Sequence, residues 1–218
     1  MLLNTGYSSP QAWLWLAQSR GYLDREGIEL DLTPGAGAYT AAPRMIDGGY
    51  DIGYGDVNSL IEEHARRPNV APQGVYMMFN ASPSCIVVAN EGPVHQPKQL
   101  VGLKLIGHDS DVALRTFGAL CLQQGIDQRA VQINSAWTGM AGMVEDVLAN
   151  RAVGAFGYVS TFTGALTSAT PSLLSKVRFL KFAEFSPDLY GSVLMASRNL
   201  LRENPATARG LVRALNLG

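Results

Sequence analysis

Several short segments of this chain place binding-competent side chains where a small molecule could be held. Gly55-Asp56-Val57-Asn58 and His108-Asp109-Ser110-Asp111 each follow a short apolar run and precede a helical pattern. A strand that enters a helix through small polar residues leaves backbone N–H groups open. Gly55, Asp56 and Asn58 in the first segment, and His108, Asp109 and Ser110 in the second, could hold a polar ligand group there. Both segments also fit a plain N-cap, with an Asp or Ser as the capping residue, so cap and contact both stay open. The charge of Asp56 would compete with a bare anion for the same N–H groups.

Aromatic and hydroxyl residues add to these. Trp13 follows Ser8 and Ser9 at the start of the first helix. Trp15, two residues on, must point elsewhere, so one Trp faces the core and the other a ligand. Trp137 sits in a polar turn, Ser135 to Gly139, where packing has little need of an indole. Gly35 and Gly37 form a turn, Ser82 and Ser84 flank Pro83, and Tyr158, Ser160 and Thr161 open a later helix. Aromatic faces suit a flat heteroaromatic or cationic ligand.

The same inventory gives no basis for catalysis. His64, His95 and His108 have no i, i+4 partner, which argues against a metal site. No Gly-x-Ser-x-Gly elbow is present. Cys85 lies in an apolar run and Cys121 on an apolar helix face, so both read as buried thiols. No catalytic residue, metal or cofactor is assigned. Arg115, one turn into the helix after His108, reads as a surface charge.

The elements that would position these residues alternate. Strand-like segments at 2–7, 28–33 and 51–54 are interleaved with helical ones from Ser8 to Gly21, Ala38 to Asp47 and Gly55 to about Arg66. Strand–helix alternation favours a parallel sheet with helices on both faces, which binds ligands at the carboxyl ends of its strands. Those ends are Tyr7-Ser8-Ser9, Pro34 to Gly37 and Tyr54 to Asn58. Two adjoining runs, 74–80 and 85–89, are split by Ala81-Ser82-Pro83-Ser84 and read as a crossing into a second domain. A second α/β set runs from Leu103 to Phe182. Ser192 to Ser197 reads as the return, and Pro205 to Leu217 as a last helix. The expected domains are residues 1–81 with 190–218, and residues 82–189.

Composition sets wider limits. The 218 residues are 47% hydrophobic and 16% charged, with net charge −1. That balance is globular and gives no basic footprint for nucleic acid. No apolar run reaches the roughly 18–20 residues needed to span a membrane. Met1-Leu2-Leu3 shows no charged leader region, as expected of a cytosolic protein or of a mature or shortened chain.

Ala17 to Tyr22 (Ala-x-x-x-Gly-Tyr), Glu26-Gly27-Ile28 and the alternating Glu29-Leu30-Asp31-Leu32 resemble the opening of type II periplasmic substrate-binding proteins. The subgroup is the nitrate/sulfonate/taurine and thiamine-pyrimidine-precursor (NMT1/THI5-like) family. Gly48-Gly49-Tyr50-Asp51-Ile52-Gly53, Gln99 to Lys104, Gly125-Ile126, Leu148 to Ala155 and Asn204-Pro205 resemble further family segments in order. Val101-Gly102-Leu103 lacks the usual first Lys of its turn, and the Cys-rich motif of the eukaryotic pyrimidine-forming relatives is absent.

The resemblance implies an α/β, two-lobed type II periplasmic-binding fold, each lobe a mainly parallel sheet flanked by helices, joined by two hinge crossings. It implies a non-enzymatic receptor that closes on a small organic molecule and delivers it to an ABC permease. The location would be periplasmic or lipid-anchored outside the inner membrane, and the only membrane association would be through the permease. Carried over by position, the contacts would be Ser8, Ser9, Trp13, Gly35, Gly37, Gly55, Asp56 and Asn58 from one lobe. Ser82, Ser84, His108, Asp109, Ser110, Trp137, Tyr158, Ser160 and Thr161 would come from the other. A pyrimidine-precursor synthase using His108 or His64, and a cytosolic sensor module, are the alternatives.

Overall fold

Alternating apolar residues on short strands decide the architecture. The computed structural model describes residues 1–7, 11–135 and 137–218. In chain order these form α1 (Ala12–Ser19), α2 (Tyr22–Arg25), α3 (Ala41–Gly48), β1 (Ile52–Asp56), α4 (Val57–Arg66) and β2 (Gln73–Met77). Then come β3 (Ser84–Ala89), β4 (Lys104–Gly107), α5 (Val112–Gln124), β5 (Gln132–Ser135), α6 (Gly139–Leu148), β6 (Gly154–Tyr158), α7 (Val159–Ala169), β7 (Val177–Lys181) and α8 (Phe182–Phe185). Last are β8 (Ser192–Ala196), α9 (Arg198–Glu203) and α10 (Pro205–Leu217). The chain divides into two compact units, Met1–Met78 with Ser192–Gly218, and Phe79–Gly191.

In the first unit the sheet order is β1-β8-β2, with β8 antiparallel to both neighbours. Leu2 adds single parallel bridges to Gly53 and Thr33. Successive strand residues face opposite sides, and the two cores follow that rule. Leu3, Ile52, Leu194 and Ala196 join Leu14, Ala17, Leu211 and Leu215 from α1 and α10. Leu2, Val193 and Met195 join Ala41, Ala42, Met45 and Leu60 from α3 and α4.

The second unit repeats the scheme in a sheet of order β5-β4-β6-β3-β7. β4 pairs in parallel with β5 and β6, while β3 is antiparallel to β6 and β7. Ile86, Val88, Leu105 and Phe156 pack with α5 residues Phe117 and Leu120. Cys85, Val87, Ile106 and Ala155 pack with Met143 and Val147 of α6 and Phe162 of α7. Cys85 and Cys121 are buried free thiols.

Both sheets are therefore mixed rather than mainly parallel. The parallel pairs are the ones that strand–helix alternation produces. The antiparallel pairs come from β8 and β3, which enter the sheets from outside that alternation. The expected strands at 2–7 and 28–33 shrink to isolated bridges at Leu2 and Thr33, because no continuous ladder extends from them; Leu30 and Leu32 still pack on the core. The short helices α2, α8 and α9 have too few turns to show a helical period in sequence.

The turn at Gly35 ties these strand ends together. The Gly35 N–H donates to the Thr5 carbonyl at 2.9 Å, and the Gly37 N–H to the Asn4 carbonyl at 2.8 Å. A Cβ on Gly35 would lie 1.9 Å from the Leu3 carbonyl oxygen, and Gly37 has φ 128°, where side chains are strained. Gly35→Ala should therefore lower stability by about 3 kcal/mol, the upper range of overpacking effects. An unchanged urea midpoint would refute that backbone constraint.

Candidate functional site

In the first unit the candidates collect at the carboxyl edge of the sheet. β1 does not stop before Gly55, as the sequence suggested. It continues through Gly55 and Asp56, which pair with Val193 and Ser192, and passes straight into α4. Gly55 is a buried strand residue, where a Cβ would meet Ala41 at 2.4 Å, so close helix packing accounts for it.

Asp56 is fully buried and caps α4. Its Oδ1 accepts the Asn58 N–H at 2.9 Å and Asn58 Nδ2 at 3.0 Å. Its Oδ2 is buried with no hydrogen-bond partner among the described residues. Burial raises its pKa from 3.8 to about 6; the Asn58 side chain and the Asn58 and Ser59 amides oppose the rise, and the Glu62 charge adds to it.

Trp13 is half-buried, its ring edge-to-face on Tyr54 at 5.2 Å, whereas Trp15 is exposed and pairs with Tyr7. Tyr54 shares a sheet face with Asp56 by strand alternation. Ser8 and Ser9 lie outside the described residues.

In the second unit the candidates also share one edge. β4, β5 and β6 run parallel, so His108, Trp137 and Tyr158 all lie at or just beyond their carboxyl ends. Ser84 begins β3 opposite Tyr158. The His108 and Trp137 rings meet edge-to-face at 5.4 Å, with Trp137 53% exposed. The Ser110 N–H donates to His108 Nδ1 at 3.2 Å, and its hydroxyl lies 2.8 Å from the same nitrogen. An accepting Nδ1 puts the proton of the neutral ring on Nε2, making that nitrogen a donor.

Asp109 is exposed, and its carbonyl accepts Arg115 Nε at 2.7 Å. Of the acidic residues in this segment, Asp111 is the one that caps α5, through the Ala113 and Leu114 amides. Burial is the main cause of its raised pKa. Ser82 Oγ accepts the Ser84 N–H at 3.3 Å, and the buried Ser84 Oγ has no partner among the described residues. Thr161 Oγ1 donates to the Tyr158 carbonyl at 2.9 Å, while Ser160 is exposed on the first turn of α7.

Sequence reasoning missed several polar residues at the first edge. Gln11 is buried and donates to Asn4 Oδ1 at 2.7 Å, Ser59 Oγ donates to the Tyr39 carbonyl at 2.6 Å, and the Tyr39 hydroxyl donates to Glu62. Tyr54 was placed at a strand end but not singled out as a contact, although an aromatic two residues before a strand-end Asp is a readable signal. Among the described residues no cluster of His, Cys, Asp or Glu is placed to hold a metal ion, and no helix is long and apolar enough to cross a membrane.

The family profile described as NMT1/THI5 like matches residues 10–218. The chain belongs to the NMT1/THI5-like family. No curated protein matches it. Among solved structures it is similar to the periplasmic aliphatic sulphonate binding protein SsuA from Escherichia coli (19% identity, TM-score 0.71, 99% of this chain and 68% of that one). It is also similar to the alkanesulfonate-binding protein SsuA from Xanthomonas axonopodis pv. citri bound to MOPS (17%, 0.68, 99% and 72%). A Salmonella typhimurium periplasmic binding protein described as highly arginine-specific resembles it too (17%, 0.59, 99% and 91%). The fold of this NMT1/THI5-like chain is thus the two-lobed α/β fold of periplasmic binding proteins. It spans about two-thirds of the length of the sulfonate-binding structures.

The Asp56 environment sets a pH dependence. Below about pH 4 the carboxyl is protonated in both folded and unfolded chains, and its contribution to stability is full. Between about 4 and 6 the unfolded chain ionises first, so stability falls as pH rises, by up to about 3 kcal/mol. Relative to the parent, Asp56→Asn should gain about that much between pH 4 and pH 7 in urea unfolding. An identical pH profile for both proteins would refute this.

Proposed function

We propose that this NMT1/THI5-like chain is the solute-binding receptor of an ABC import system, located in the periplasm or anchored outside the inner membrane. It takes up a small organic molecule of the pyrimidine or thiamine-precursor, sulfonate or similar classes, and hands it to the permease. It has no catalytic step. The family match over nearly the whole chain carries this reading.

The mechanism we propose is hinge closure. The ligand binds residues of one unit, the other unit moves over it, and contacts to both favour the closed form. Each unit brings a matching set of groups to a strand edge. The first offers Trp13, Asp56 and Asn58. The second offers His108 Nε2–H, Ser110, the exposed face of Trp137 and the Ser82–Ser84 turn. Such a mixture of aromatic surface and a few directed polar groups suits a small-molecule site.

A thermal-shift screen against pyrimidines, sulfonates, nitrate and aromatic acids should find a stabilising ligand; none in the full-length protein would sink the proposal. For the ligand found, Trp137→Ala should weaken binding at least about tenfold, or about 1.4 kcal/mol. The ligand-free melting temperature should hardly move, because the indole is half exposed. Undiminished affinity in Trp137→Ala would remove Trp137 from the site.

A further inference from the structure

The carboxylate of Asp56 has one oxygen that the fold does not use. Oδ1 accepts both donors of Asn58 and so completes the cap of α4. Oδ2 is buried and unpartnered among the described residues, in a side chain with 0% exposure. The charge acting on it is that of Glu62, of the same sign. Leaving a buried acceptor unmet is costly, and more so when it is charged. Capping does not require that cost, since Ser, Thr or Asn would cap α4 with a single oxygen.

The position of this oxygen suggests its use. Asp56 ends β1 at the carboxyl edge of its sheet, where folds of this kind bind ligands. Tyr54, two residues earlier on the same face, carries the Trp13 ring. A carboxylate beside aromatic faces is complementary to a positively charged nitrogen. It opposes a simple anion, which would need the Asn58 amide that Asp56 already holds. The second unit has the same arrangement, with Asp111 holding the amides of Ala113 and Leu114 at the start of α5.

We propose that Asp56 Oδ2 is the recognition group for a protonated nitrogen, so that the solute is a cation or zwitterion carrying an amine or amidine and not a simple anion. This rests on the receptor function proposed above and names the chemistry that the receptor selects.

Titration calorimetry against matched pairs tests it. The pairs are taurine with ethanesulfonate, 4-(aminomethyl)benzoate with 4-methylbenzoate, and 4-amino-5-aminomethyl-2-methylpyrimidine with its 5-hydroxymethyl analogue. In at least one pair the amine-bearing member should bind at least about tenfold more tightly than its partner. Asp56→Asn and Asp56→Ser, both able to cap α4, should each reduce that amine's affinity at least about tenfold without weakening any binding of the partner. Equal affinities within every pair that binds, or undiminished amine affinity in a folded variant, would overturn the inference and leave the receptor function standing. Binding by none of the six compounds would count against both. The comparison within pairs uses the unaltered chain, so it decides the matter even if neither variant folds.

Discussion

The first unit depends on one strand that arrives late in the chain. β8 is buried at every position and pairs with β1 on one side and β2 on the other. Without it those two strands have no common partner, since the sheet order is β1-β8-β2. The strand returns only after the whole second unit has been traversed. Its ladder also carries the candidate residue Asp56, because Ser192 pairs with it and holds the end of β1 extended. The second unit relies on β3 in the same way, seated between β6 and β7. Both segments enter antiparallel to their neighbours, which makes each sheet mixed.

Fixing the strand ends fixes what lies beyond them. In each unit an extended Asp closes a strand or turn and caps the next helix, Asp56 for α4 and Asp111 for α5. The same burial that makes these caps effective raises the carboxyl pKa values. A strand end of this kind is therefore both a structural joint and a reserve of unusual chemistry. The close glycine contacts belong to the same design, because Gly35 and Gly55 let backbone and helix approach where a side chain would not fit.

Much of this was legible in the sequence because the signals are local. The helical periods of α5, α6 and α10, the Gly125 stop and the alternation of strands and helices depend on neighbours within a few residues. So did the family likeness, which came from short motifs in order. The capping reading of Asp56 was also open, since a cap and its helix are adjacent. What stayed hidden was nonlocal. Whether Gly55 was turn or strand depended on Val193, far along the chain. Whether Trp13 or Trp15 turned inward depended on Tyr54, and the Gln11–Asn4 and Ser59–Tyr39 bonds join residues that no spacing rule relates.

The sequence by itself determined the element types, the α/β class, the family and the carboxyl-edge location of the candidate residues, because periodicity and capping are short-range preferences of the backbone. Only the tertiary structure decided the mixed strand order and the extension of β1 to Asp56. It alone also revealed the full burial of that side chain and the idle Oδ2. Those properties depend on which distant segments meet at one place, since burial and hydrogen-bond satisfaction are set by surroundings and not by neighbours in the chain.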